Sequence, residues 1–282
     1  MRQHLVGFGD EQEWRAFVEG HPLFLSKLEN LLALLDRTLI RASQTDSPAD
    51  RVVFFLGRLA LEDFMEVLLL CGNGYGIAGL KLLRGLYERA VTARYLSRNP
   101  NEAETFFAYH AIQEWKTYQR AKEVYGYRHP VSAQRAAEME AAYQATKEKF
   151  EEPLCRKCDT KRLQFSWSKL DTASMALKAG GGLQRLYLSC YLLPTLNAHA
   201  TVTSLMLRLA ESPEGGLSFK EGAQRDWADA ALSGAHAVII QVIDTQNQHF
   251  HLGLEAELSQ CCSDYNEIWK TETPALPQPP EP

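Results

Sequence analysis

Arg84 and Glu88 lie one helical turn apart in the stretch GLKLLRGLYERAVTARYL, a spacing that puts a guanidinium and a carboxylate on one face and lets them pair. Apolar residues surround them, so the pair can point into a helix interface, where desolvating either charge alone is costly. Two kinds of chemistry fit: an internal clasp that orients helices, or a site in which Arg84 meets an anionic ligand such as a phosphate. His199 is the third candidate. It falls on the apolar stripe that Leu188, Tyr191, Leu192, Thr195, Ala198, Val202 and Leu205 form at helical spacing. A histidine there either sits satisfied in a core or orients the pair and serves as an acid or base. Arg84, Glu88 and His199 are therefore the expected ligand-binding residues, with His199 the candidate for catalysis.

At about 100° per residue, Leu80, Leu83, Leu86, Tyr87, Ala90 and Val91 gather on one side of their helix. Arg84 falls at the edge of that stripe and Glu88 farther toward the polar side. Arg94 projects near its middle, where an arginine either snorkels at a helix end or meets a buried carboxylate, for which the helix carrying Glu62, Asp63 and Glu66 is one source.

Other motifs carry less. Cys155-x-x-Cys158 has the spacing of half a zinc site, but no second pair follows at close range, and His129 is an unspecific ligand. No metal is expected, with Cys155 and Cys158 its only candidates, and no cofactor. The glycine-rich segment 72–79 lacks the lysine and serine or threonine of a phosphate loop and reads as a tight turn with close approach at Gly79 and Gly85. There is no serine-nucleophile elbow and no His-Glu-x-x-His pattern. Arg156, Lys157, Lys161 and Arg162 make a local basic cluster, but Glu151, Glu152 and Asp159 dilute it into a solvated loop.

The elements that must position these residues are helices. Pro22 opens one through Leu39; others are predicted over 51–70, 77–97, from Asn101 through Tyr118, and over 133–150. Periodicity fades over 151–169, where Phe165 and Trp167 should anchor the segment to the bundle. A short helix over 172–178 ends at Gly180-Gly181-Gly182. Helical signal resumes over 183–209, with a bend at Pro194, and again over 224–248 and 254–269. No period-two run and no repeat is visible. The expected fold is all-α, a multi-helix bundle over 1–272 with 151–182 as an irregular insertion or lateral cover, followed by a proline-rich disordered tail over 273–282.

A chain of 282 residues with 45% hydrophobic content can fill such a core, and a formal charge of -5 gives no general case for nucleic-acid binding. The apolar runs are too short to span a membrane and the N-terminus lacks a secretion signal. The six cysteines are expected to be reduced thiols in the cytoplasm.

The segments GYGIAGLKLLRGLYERAVTARYL, EAETFFAYHAIQEWK and FSWSKLDTASMALKAGGGLQRLYLSCYLLPTLNAHATV resemble a widespread family of uncharacterised, mostly bacterial, all-helical proteins, over about residues 50–210. The resemblance implies that Arg84, Glu88 and His199 recur in a helical core; it implies no activity. Pro194 and Asn197 depart from the family's serine-rich wording before the histidine. A fainter similarity leads to the helical nucleotide-binding superfamily of toxin and defence ribonucleases, whose arginine and histidine lie four to six residues apart in a helix. Arg15 and His21 fit that spacing, but Gly20 and Pro22 put His21 at a helix start. The reading is a helical-bundle binding or regulatory protein whose partner is a small anionic ligand or another protein. The alternatives are a metal-independent RNA-processing or nucleotide-hydrolysing enzyme, with RNA as its partner, and a purely structural interaction protein.

Overall fold

The Ser47 hydroxyl accepts the Asp50 amide while the Asp50 carboxylate accepts the Ser47 amide, and this reciprocal cap starts helix α3 (Pro48–Gly72) with proline in its first turn. Gly74, at φ 77°, turns the chain into α4 (Gly76–Arg98). The computed structural model describes residues 11–42, 45–126, 131–155, 160–212 and 215–270. Glycine at 76 has a packing reason: a Cβ there would stand 2.2 Å from the backbone nitrogen of Ala228, in α11 (Arg225–Phe250). Helix α4 thus meets α11 backbone to backbone at Gly76, and α3, α4 and α11 together bury Phe64, Val67, Leu83, Leu86, Tyr87, Ile239 and Ile243 completely. We expect Gly76→Ala to lower stability by about 1–3 kcal/mol in urea unfolding, whereas Gly20→Ala, which opens onto empty space, leaves the midpoint unchanged or raises it.

Two further helices, α1 (Glu11–Gly20), which the periodicity gave no sign of, and α2 (Pro22–Leu39), pack with α12 (Glu255–Lys270) around this trio. Phe24 meets the His236 ring of α11 edge to face and the Trp269 ring at a tilt, and Lys27 reaches the buried Asp264 at 3.0 Å. After a 3-10 turn (Pro100–Glu102), α5 (Ala103–Tyr125) and α6 (Ala133–Thr146) form a lateral arm with a small core of its own, Tyr109, Ile112 and Phe150. Trp167 belongs to both cores, with ring centroids 6.1 Å from Tyr95 and 5.3 Å from Phe106. It anchors the irregular segment as expected. Phe165 does not: it is 88% exposed.

The fold is an all-α bundle with an irregular insertion. Two expectations are corrected. Two short antiparallel hairpins occur, β1 (Glu151–Pro153) with β2 (Lys161–Leu163), and β3 (Leu209–Glu211) with β4 (Leu217–Phe219). Three residues are too few for a period-two pattern to show. Cross-strand pairs of Lys161 with Glu151 and Arg162 with Glu152 occupy two cations of the basic cluster, while Arg156 and Lys157 lie outside the described residues.

The helix expected over 183–209 is instead a chain of short pieces: α8 (Leu183–Tyr187), a π-helical turn (Leu188–Leu192), α9 (Leu193–Ala198) and α10 (Val202–Met206). The π register absorbs Pro194, because the preceding amide, Leu193, bonds back to Leu188 and no partner is asked of the proline nitrogen. The break comes later, at Thr201, whose hydroxyl donates to the Leu196 carbonyl and accepts the Ser204 amide. Thr201 thereby closes one helix and opens the next. Before α8, α7 (Thr172–Ala179) packs on α4 and ends at the three glycines, all at positive φ.

Candidate functional site

The midsection of α4 and the segment from the π-turn into α9 face each other across a seam. Arg84 donates from Nη1 and Nη2 to the two Glu88 carboxylate oxygens at 2.9 and 3.1 Å, a two-pronged pair within one helix. Its Nε donates to the Thr195 hydroxyl at 3.1 Å, and its plane sits 5.1 Å from the centre of the Tyr191 ring. The Tyr191 hydroxyl accepts a longer contact from Nη2 at 3.5 Å. Thr195 is itself held, donating to the Tyr191 carbonyl at 2.7 Å. The π-turn therefore sets two partners of the guanidinium, Tyr191 and Thr195, one turn apart on the facing surface. Tyr87, Tyr187 and Tyr191 pack as an aromatic cluster behind them, with the Tyr87 hydroxyl donating to the Leu183 carbonyl.

Neither member of the pair is sealed: the side chains of Arg84 and Glu88 keep 30% and 36% of their accessible surface. Arg84 is only slightly the more inward of the two. His199 is placed otherwise than its helical spacing suggests. It caps the end of α9 in extended conformation and is exposed, where a continuous helix would have carried it on a packed face. It makes none of the Arg84 hydrogen bonds, although it lies four residues beyond Thr195. Tyr191 and Thr195 were on the same predicted stripe as His199; their polar atoms were the available signal that the stripe faces a charge.

Two other arginines of α4 find carboxylate partners on neighbouring helices. Arg94, 3% exposed, gives Nη1 to Asp244 of α11 at 2.5 Å and to Thr245 at 3.4 Å. The carboxylate of α3 goes to a different arginine, Asp63 pairing with Arg89. Burial outweighs that attraction and, with Glu66 and Glu62 nearby, pushes the Asp63 carboxyl up to about 6.

A Ser97–His249–Asp50 chain ties the ends of α4, α11 and α3, at 3.0 Å to Nδ1 and 2.9 Å to Nε2. The ring nitrogens carry the opposite partners from a nucleophilic triad, and the Asp50 carboxylate also caps α3, so the arrangement is a clasp of helix ends.

A cavity of about 180 Å3 lies where α1 meets α11, lined by Glu13, Phe17, His21, Cys71, Arg225 and Asp229. Two pairs cross it, Glu13 with Arg225 and His21 with Asp229, and Asp226 also lines it. His21 stands at the N-cap of α2, where its Nδ1–H donates to the Phe17 carbonyl, while Arg15 lies within α1 and pairs with Glu11.

Burial pushes the thiol of Cys71 up to about 12 and those of Cys190 and Cys261 to about 11, keeping all three protonated. Cys155 is exposed, and Cys158 lies outside the described residues, as do His129 and the tail over 273–282. Among the described residues no group of three or more His, Cys, Asp and Glu is placed to hold a metal, and no helix is long and apolar enough to cross a membrane.

A family of unknown function, DUF5677, matches residues 50–217. The chain belongs to DUF5677. No curated protein and no solved structure matches it. The DUF5677 segment contains Arg84, Glu88, Tyr191, Thr195 and His199 together, the two facing surfaces of the seam. It stops short of α11, so Asp244, the partner of the deeply buried Arg94, is supplied from outside the matched segment.

Proposed function

We propose that this DUF5677 protein is a binding or regulatory bundle that takes a small anionic ligand at Arg84, with Glu88 as the internal carboxylate the ligand displaces. The observation that carries this reading is a charged pair that is preorganised yet open to solvent. Thr195 and Tyr191 fix the guanidinium from behind, while the Glu88 edge stays accessible. Glu88 keeps the cation neutralised in the empty state. A phosphate or carboxylate that takes its place gains the same two-pronged geometry, with the Tyr191 hydroxyl as a further donor. His199, exposed beside the end of α9, is the residue that would close over such a ligand.

Thermal-shift and calorimetric titration with inorganic phosphate and AMP tests this. Glu88→Gln, which vacates the competing carboxylate charge, is expected to tighten anion binding about tenfold, equivalent to about 1.4 kcal/mol. Arg84→Gln is expected to abolish it. Absence of binding to both the parent and Glu88→Gln would sink the reading. The RNA-processing alternative needs an arginine and a histidine acting on one bond, and no contact between Arg84 and His199 supports it.

A further inference from the structure

Helix α3 is apolar on two faces. The inner one, with Val53, Ala60, Phe64 and Val67, is completely buried in the bundle. The outer one carries Phe55, Leu59, Met65 and Leu69, which are 56%, 42%, 41% and 62% exposed. These four, together with Arg51, Arg58, Glu62 and Glu66, fall within an arc of about 120° at 100° per residue, a stripe about 27 Å long. Large exposed apolar side chains gathered on one helix face, with charges interleaved among them, mark a contact surface.

The charges on this stripe are divided along its length. Arg51 and Arg58 occupy the N-terminal half, Glu62 and Glu66 the C-terminal half. Arg58, Glu62 and Glu66 form no ion pair with any described residue, although Arg58 and Glu62 are four apart and Glu62 and Glu66 flank Asp63, whose own partner is Arg89.

We propose that the outer face of α3 docks a second copy of this chain, antiparallel, about a two-fold axis level with Ala60. In that arrangement Arg58 of each chain meets Glu62 of the other, twice over. Phe55 meets Met65, and Leu59 packs close to the axis. A parallel arrangement would bring like charges together. The self-complementarity of one stripe, basic then acidic around an apolar centre, is what an isologous interface requires and what an unrelated partner has no reason to match. The proposal is independent of the Arg84 site, which lies on α4.

Light scattering after size exclusion tests it on the whole chain. The parent is expected to show twice the 31.8 kDa of one chain. Leu59→Glu and, separately, Arg58→Glu are expected to give monomers with unchanged circular dichroism, since both positions lie outside the core, and with an unfolding midpoint that no longer depends on protein concentration. Combining Arg58→Glu with Glu62→Arg on the same chain restores opposite charges across the axis and is expected to restore the dimer. A parent that is monomeric at every concentration overturns the proposal, including the case in which the stripe binds a different protein or a membrane. So does a dimer that both single substitutions leave intact. Failure of the double swap to recover the dimer overturns the antiparallel arrangement.

Discussion

Asp244→Ala is expected to destabilise the fold by about 3 kcal/mol, the lower part of the range for breaking a buried pair, because the Asp244 side chain itself keeps 27% of its surface. Arg94 has no such edge. Its side chain is 4% accessible, its Nε already lacks a partner, and the backbone of Gly181 lies so close that a Cβ there would stand 2.3 Å from the guanidinium carbon. Removing the carboxylate leaves a cation with no replacement and little room for water. Arg94→Met removes the charge along with the need for its partner and keeps much of the volume, so the loss is expected to be smaller. The order is the test: in urea unfolding Asp244→Ala falls below Arg94→Met, and the double variant recovers part of the difference. Equal losses would show that the pair is not stranded when broken.

The second large effect is pH dependence through His236. Its ring is 3% exposed, and Nδ1 accepts the Trp269 indole N–H at 3.1 Å, which fixes the proton on Nε2. Burial pulls its pKa from 6.5 down to about 4. The unfolded chain therefore binds a proton that the folded one refuses. Stability from this source is complete above pH 6.5 and is lost as pH falls toward 4, by up to about 3 kcal/mol.

Asp63 works in the opposite direction. Its carboxyl, raised to about 6, takes up a proton in the folded state first, so its contribution increases as pH falls from 6 toward 3.8. The two slopes overlap and offset. Asp63→Asn is therefore expected to make the protein more acid-sensitive between pH 6.5 and 4. His236→Gln, which keeps an acceptor for Trp269 but cannot titrate, is expected to make it less so. Melting curves at pH 7 and 4.5 decide the matter; identical pH slopes in all three proteins would refute it.

The long helices were legible because each carries its own period and its own punctuation, such as Gly74 after α3 and Asn99-Pro100 after α4; the capping Ser47 and Pro48, which start α3 three residues ahead of the predicted Arg51, looked like part of the preceding break. Arg94 was legible as a buried cation for the same reason, since its angle on the stripe depends only on α4. Its partner was not. Asp63 and Asp244 are chemically equivalent candidates, and only the packing of α11 against α4 selects the second.

The stretch from 183 to 209 misled because a stripe of apolar residues looks the same whether the helix is unbroken or cut into turns. The decisive residues there are polar and local. Thr201 bonds to Leu196 and Ser204, and Leu193 bonds to Leu188 in π register, and neither bond leaves a trace in hydrophobic spacing. That is why His199 was placed on a packed face and stands in solvent, while the true partners of Arg84 are Tyr191 and Thr195.

The third wall of the core arrives late. Helices α3 and α4 are complete by residue 98, but α11, which fills the groove between them, begins only at residue 225. During synthesis the paired helices leave the ribosome with Leu83, which packs on Gly234 of α11, uncovered, and it stays so while the arm and the short helices are made. Closing that groove joins segments far apart in sequence, a step opposed by loop entropy and slow relative to helix formation. Folding of this chain is thus gated at its end, and the half-made bundle, rather than the finished one, is the species most exposed to aggregation and to chaperones.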